Sequence, residues 1–170
     1  GGFPRALARL ARARGLRLRV IATDIRPEYI EIGRERAEAD HERDVEFHVA
    51  DAFHLGRTFQ PGEVDLVTCT QSLHHFGAGG IATLVAESLR VAGRGICFID
   101  PGRTLTGVAG IALLTMLSTA NPWLLHDGVV SVRKSFVPEE MALIARCAPG
   151  GDALESFWLP PGFVALRSRA

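Results

Sequence analysis

The sequence predicts a doubly wound α/β fold in which a mostly parallel sheet ends in an antiparallel hairpin. Three observations predict it. Short apolar or alternating runs (LRLRVIAT, VEFHV, VDLVTC, GICFI) are interleaved with longer stretches of helical period, the pattern of β-α-β units around a parallel sheet. The last two strand-like runs, Ala153 to Leu159 and Phe163 to Arg167, are separated only by Pro160-Pro161-Gly162. That link is too short for a parallel crossover, so the two runs pair as a hairpin. Finally, the runs end in polar or small residues, at Asp24, Asp51, Gln71-Ser72 and Asp100, where an open α/β sheet binds its ligands.

Each element has a local reason. Pro4 suits the first helical position, where its missing N–H costs nothing. Leu7, Leu10 and Ala11 then share one face, Arg5, Arg9 and Arg12 another, and Gly15 ends the helix. Leu16 to Thr23 reads as a strand with Asp24 at its end. Pro27 opens a helix to about Ala39, with Tyr29, Ile30, Ile32, Gly33 and Ala37 inward and the glutamates outward. Val45 to Val49 and Val64 to Cys69 are strands, with the turn signal Pro61-Gly62 between them. Ile81 to Val91 is helical, Gly95 to Ile99 a strand, and Thr104 to Thr119 a helix apolar nearly all round. Such a helix is buried, forms an oligomer face, or lines a lipophilic acceptor pocket through Leu113, Leu114, Met116 and Leu117. Asn121 to Ser135 reads as an irregular solvated segment carrying His126, Asp127, Arg133 and Lys134. A last helix starts at Val137-Pro138 and runs to about Ala148.

Composition narrows the function. The 170 residues fit a single domain. The 47% hydrophobic and 22% charged residues supply an ordinary core. Nineteen basic residues balance nineteen acidic ones, so no field draws nucleic acid or an anionic membrane. Cys69, Cys97 and Cys147 lie far apart and form no CxxC or Cys/His spacing, so neither zinc nor a disulfide framework is expected. No signal-like segment opens the chain, and the most apolar stretch falls short of the roughly 20 residues a spanning helix needs. The expectation is a reduced, cytoplasmic protein with no stable membrane insertion. No feature specifies an oligomeric state.

Asp24 is the sharpest single residue. It follows a strand and lies 22 positions after Gly2, the distance at which a carboxylate holds ribose hydroxyls in nucleotide-binding β-α-β units. The competing role is a helix N-cap, but Pro27 as first helical residue puts Arg26 at the cap. Asp51 either accepts a hydrogen bond from an adenine amine or is an ordinary loop aspartate. His74 and His75 follow the strand VDLVTC, where a partly neutral imidazole can take a proton. As an alternative they only line a wall. No metal site is expected near them.

The blocks VIATDIRPEYIEIGRERA, VEFHVADAFHL, VDLVTCTQSLHHF and GRGICFIDP, in that order and spacing, resemble class I S-adenosylmethionine (SAM) dependent methyltransferases. The third block is similar to those of small-molecule methyltransferases of quinone and natural-product biosynthesis. The resemblance implies a Rossmann-like fold, SAM as cofactor and a small-molecule methyl acceptor. It implies ribose binding by Asp24, adenosine contacts from Ile25 and Arg26, adenine contacts from Asp51 and Ala52, and a wall near the methionine part from Gln71. His74 and His75 match the stretch that faces the acceptor.

That family opens with a strand and a glycine loop, of which Gly1 and Gly2 look like the tail. Its sheet order is 3-2-1-4-5-7-6 with strand 7 antiparallel, so the expected fold lacks the first, central strand. The expectation is one domain over residues 1 to 170 that binds SAM poorly and aggregates readily as a fragment. Two rivals remain. One is an NAD(P)-dependent oxidoreductase, although the single tyrosine, Tyr29, and single lysine, Lys134, exclude a Tyr-x-x-x-Lys pair. The other is a non-catalytic interaction module on the same fold.

Overall fold

The structure, a computed structural model, describes residues 2–118 and 122–169. Where the sequence predicts one domain, the backbone packs as two compact units, Gly1–Thr58 and Phe59–Ala170.

In the first unit, helix α1 (Gly2–Ala13) leads to strand β1 (Val20–Asp24), helix α2 (Pro27–Ala39) and strand β2 (Val45–Val49). The two strands pair in parallel, Val20 opposite Val45 and Asp24 opposite Val49. Their core is Ala8, Val20, Ala22, Ile30, Ala37, Val45 and Phe47. Gly33 lets α2 close onto the sheet, because a Cβ there would stand 2.5 Å from Cε1 of Phe47. The arginine face of α1 is used as well. Arg5 and Arg9 reach Asp40 and the buried Glu42, and Arg12 reaches Asp44. Burial pushes the Glu42 carboxyl up, and the hydrogen bonds from Arg5 and Arg9 outweigh it, leaving it below its ordinary value. Arg19 grips Glu46 through two N–H groups at 2.6 and 2.8 Å and holds its carboxyl down at about 2.

In the second unit the order is strand β3 (Val64–Thr70), helix α3 (Ala78–Val91), strand β4 (Ala92–Pro101), helices α4 (Leu105–Ser118), α5 (Pro122–Lys134) and α6 (Pro138–Arg146), and strands β5 (Leu154–Leu159) and β6 (Phe163–Ser168). The sheet order is β3-β4-β6-β5. β3 and β4 are parallel, and β6 is antiparallel to both β4 and β5. The predicted C-terminal hairpin is therefore present. In family numbering the two sheets are 3-2 and 4-5-7-6, each with its expected neighbours. Among the described residues β1, β2, β3 and β5 each pair on one side only. Ile81, Val85, Val91, Ile96, Phe98 and Leu166 are fully buried between the helices and this sheet.

Several expectations are corrected. β1 starts at Val20, and Leu16 and Leu18 are exposed, since residues before the paired stretch have no sheet to cover them. In α2 the buried stripe is only Ile30, Gly33 and Ala37, and Tyr29 and Ile32 face solvent. Gly33 and Ala37 fit so closely that the stripe is too narrow to include their neighbours. The segment expected to be irregular contains α5, on which His126, Asp127, Arg133 and Lys134 are exposed. α4 is not simply buried: Leu113 and Leu117 are exposed, while the side chains of Leu114 and Met116 lie outside the described residues. No helix among the described residues is long and apolar enough to cross a membrane.

Two predictions follow from this packing. Gly33→Ala should lower stability by about 1–3 kcal/mol by overpacking against Phe47, read as a lower urea midpoint, and adding Phe47→Leu should recover part of the loss. Acid should also destabilise the fold. Carboxyls held below their ordinary value contribute stability that is complete above about pH 5 and is lost as pH falls through their folded values. For Glu46 that window runs from its ordinary 4.5 to about 2. Urea midpoints at pH 7, 5 and 3 should fall in that order, and Glu46→Gln should flatten the decline.

Candidate functional site

In the first unit, parallel pairing brings two carboxylates to one sheet edge. Asp24 closes β1, and the Ala50 N–H donates to its carbonyl at 3.0 Å, which places Asp51 directly beyond the end of β2. Arg26 is the N-cap residue and Pro27 begins α2, so Asp24 is not the cap. Its Oδ1 accepts the Arg26 N–H at 2.9 Å. This local turn fixes the side chain, and Oδ2 has no partner among the described residues. Ile25 and Arg26 are exposed, and the Arg26 guanidinium lies over the Tyr29 ring, 5.3 Å from its centroid.

Asp51 is more engaged. Oδ1 accepts the Phe53 N–H at 2.9 Å and Oδ2 meets His54 Nδ1 at 2.8 Å. The His54 hydrogen bond, then the Phe53 N–H, hold its carboxyl below the ordinary range. A carboxylate has about four acceptor positions, so an ionised Asp51 retains capacity for one more donor. Ala52 is half-buried in the turn that follows. Gly2 is the first residue of α1 rather than part of a loop, and Gly1 lies outside the described residues. Asp24, half-buried and with one carboxylate oxygen open, offers the acceptor that the hydroxyls of a ribose diol require, which fits the ribose of SAM.

In the second unit, β3 and β4 end side by side, with Thr70 opposite Ile99. Gln71 turns the chain away from β3 with φ 54, a left-handed conformation unusual outside glycine, and donates its N–H to the Ile99 carbonyl at 2.9 Å. A 3-10 turn, Leu73–His75, follows. Asp100, on the neighbouring strand and only 1% exposed, holds this turn. Its Oδ1 accepts the Leu73 N–H at 3.2 Å. Its Oδ2 accepts the His74 N–H at 3.0 Å and meets His74 Nδ1 at 3.0 Å.

The two histidines are therefore unequal. His74 is buried against a carboxylate, whereas His75 is exposed. Their ring centroids are 4.2 Å apart and tilted by 44°. α5 packs on this turn, and α4 packs on α5. Cys69, near the end of β3, has its thiol pushed up to about 11 by burial and then by the charge of Asp100. Among the described residues no group of three His, Cys, Asp or Glu side chains could hold a metal ion.

Sequence reasoning thus located Asp24, Asp51, Gln71, His74 and His75 at strand ends. It gave Asp100 no role beyond closing a strand. The signal available was its position at the end of GICFID, beside the strand that leads into SLHHF.

Residues 1–95 match the model of the methyltransferase domain family. The chain belongs to that family. SAM is the cofactor of these methyltransferases, and the doubly wound fold is theirs as well. No curated protein matches the sequence. Among solved structures, the chain is similar to magnesium protoporphyrin IX methyltransferase from Synechocystis PCC 6803 with bound S-adenosylhomocysteine (SAH). The identity is 15% and the TM-score 0.63, over 98% of this chain and 68% of that one. It is similar to a SAM-dependent methyltransferase from Aquifex aeolicus at 13% identity and TM-score 0.60, over 88% and 68%. A protein from Rhodobacter sphaeroides assigned provisionally to the Zn-dependent alcohol dehydrogenases reaches 14% identity and TM-score 0.63, over 100% and 82%. Likeness of fold alone therefore does not separate the two chemistries; the family match does.

The left-handed Gln71 gives a stability prediction. A non-glycine residue there costs about 1–2 kcal/mol, and glycine returns part of that gain as chain entropy, about 0.5–1 kcal/mol. Gln71→Gly should hold or raise the urea midpoint, whereas the β-branched Gln71→Val should lower it. A fall with glycine would show that the Gln71 side chain itself supports the turn.

Proposed function

We propose that this domain transfers a methyl group from SAM to a small-molecule acceptor. In this reading Asp24 is assigned to the ribose, and Asp51, with Ala52, Ile25 and Arg26, to the adenosine. Gln71 is assigned to the methionine part, and His74 and His75 to the acceptor. The observation that carries the reading is Asp24, a half-buried carboxylate at the end of β1 with one oxygen committed to its own turn and the other open. Family membership supports the cofactor assignment.

A small acceptor is supported by balanced charge, by a helix α4 that carries no charged residue and packs beside α5, and by the substrate named for the Synechocystis relative. We place the enzyme in the cytoplasm.

The chemistry asks little of the protein. Bound SAM supplies a methyl group on a sulfonium centre that leaves with its electron pair returning to sulfur. The chain aligns the acceptor, excludes water and takes one proton. A neutral imidazole accepts the acceptor's proton as its heteroatom or carbon bonds to the methyl carbon, and later releases that proton to solvent.

Calorimetric titration of SAH into the gene product containing this chain tests the reading. Micromolar binding is expected, and Asp24→Ala should weaken it about 10- to 100-fold, the loss of a charge-assisted hydrogen bond. NAD binding without SAH binding would favour an oxidoreductase. Binding of neither would favour an interaction module.

A further inference from the structure

We propose that Asp100 is a positioning residue that selects His74, not His75, as the proton acceptor and fixes its tautomer. The inference rests on the methyl-transfer reading for its purpose but not for its geometry.

Asp100 is buried, and it accepts from Leu73 N, His74 N and His74 Nδ1. An ionised carboxylate only accepts hydrogen bonds, so the hydrogen in the 3.0 Å contact with His74 must sit on Nδ1. Neutral His74 then carries its lone pair on Nε2. That nitrogen has no partner among the described residues and is not among the buried atoms left without one, so it is open to a ligand or solvent. His75 has no such orienting carboxylate among the described residues and is exposed. A base held by a carboxylate through its far nitrogen is the arrangement in which the tautomer, not merely the presence of imidazole, determines proton transfer.

The same carboxylate does a second job. By accepting two successive backbone N–H groups it holds the 3-10 turn, so the ring and the backbone that carries it are positioned by one side chain. When the acceptor's proton moves to Nε2, the imidazolium formed keeps Nδ1–H on Asp100. The Asp100 charge offsets the new positive charge without itself taking a proton.

The test uses histidine-selective ¹⁵N spectra of the ligand-free protein at about pH 8.5, above the ordinary imidazole range near 6.5. His74→Gln assigns the His74 signals by their disappearance. The expected wild-type spectrum shows a protonated Nδ1 and a bare Nε2 for His74, with His75 in the Nε2–H form common in free histidine. Asp100→Ala should shift His74 to mainly Nε2–H. A wild-type His74 already in the Nε2–H form would overturn the proposal. So would an Asp100→Ala protein, folded by its amide spectrum, in which His74 stays Nδ1–H. If that variant does not fold, the wild-type tautomer decides alone. No step uses SAM or an acceptor. If SAH fails to bind while the tautomer is as expected, the methyl-transfer reading fails and the positioning of His74 stands.

Discussion

When two consecutive strands pair in parallel, the chain must cross back over the sheet before it returns. Both strands therefore deliver their last residues to the same edge. The candidate carboxylates, Gln71 and the histidine turn depend on that constraint. β1 and β2 bring Asp24 and Asp51 to one edge of the two-stranded sheet. β3 and β4 bring Gln71, the histidine turn and Asp100 to one edge of the four-stranded sheet. At such an edge a residue has left the ladder but is still aimed by it, so its side chain can serve a ligand without costing a strand pair.

The cost of the architecture falls on the strands that pair on one side only. β1 and β3 each have one neighbour. β3 is correspondingly half-covered: Leu66 is 53% exposed, although VDLVTC is a mostly apolar run. Asp65, at the start of β3 and paired with Arg94 at 3.0 Å, puts charge near that edge. Charge on a free edge opposes edge-to-edge association. The exposed leucine favours it.

What the sequence revealed follows the range of the physics involved. The placement of Asp24 was legible because it is local: a strand run, an acid and then Pro27 fix it within four residues. The hairpin was legible because Pro160-Pro161-Gly162 leaves the two strands no other geometry. α5 was not legible. Gly128, Val129, Val130 and Val132 lower intrinsic helix propensity, and the helix is held by tertiary packing, with Val132 buried close to Gly107 of α4. Asp100 was missed for a related reason. Its three partners lie 26 and 27 residues earlier in the chain, and only the pairing of β3 with β4 brings them together. Tyr29 and Ile32 were misassigned because helical period identifies a face but not its width, and that width is set by how closely Gly33 meets Phe47.

In the second unit the carboxylate that holds the histidine turn also acts on a nearby thiol. Asp100 orients an imidazole, but its negative charge, added to burial, keeps the Cys69 thiol protonated far above neutral pH. A thiol reacts as its thiolate, so the strongest soft nucleophile near this strand end is suppressed. A nearby negative charge disfavours the ionised, anionic form of a thiol. One buried aspartate therefore holds the histidine turn through its backbone and ring N–H groups and opposes ionisation of the Cys69 thiol.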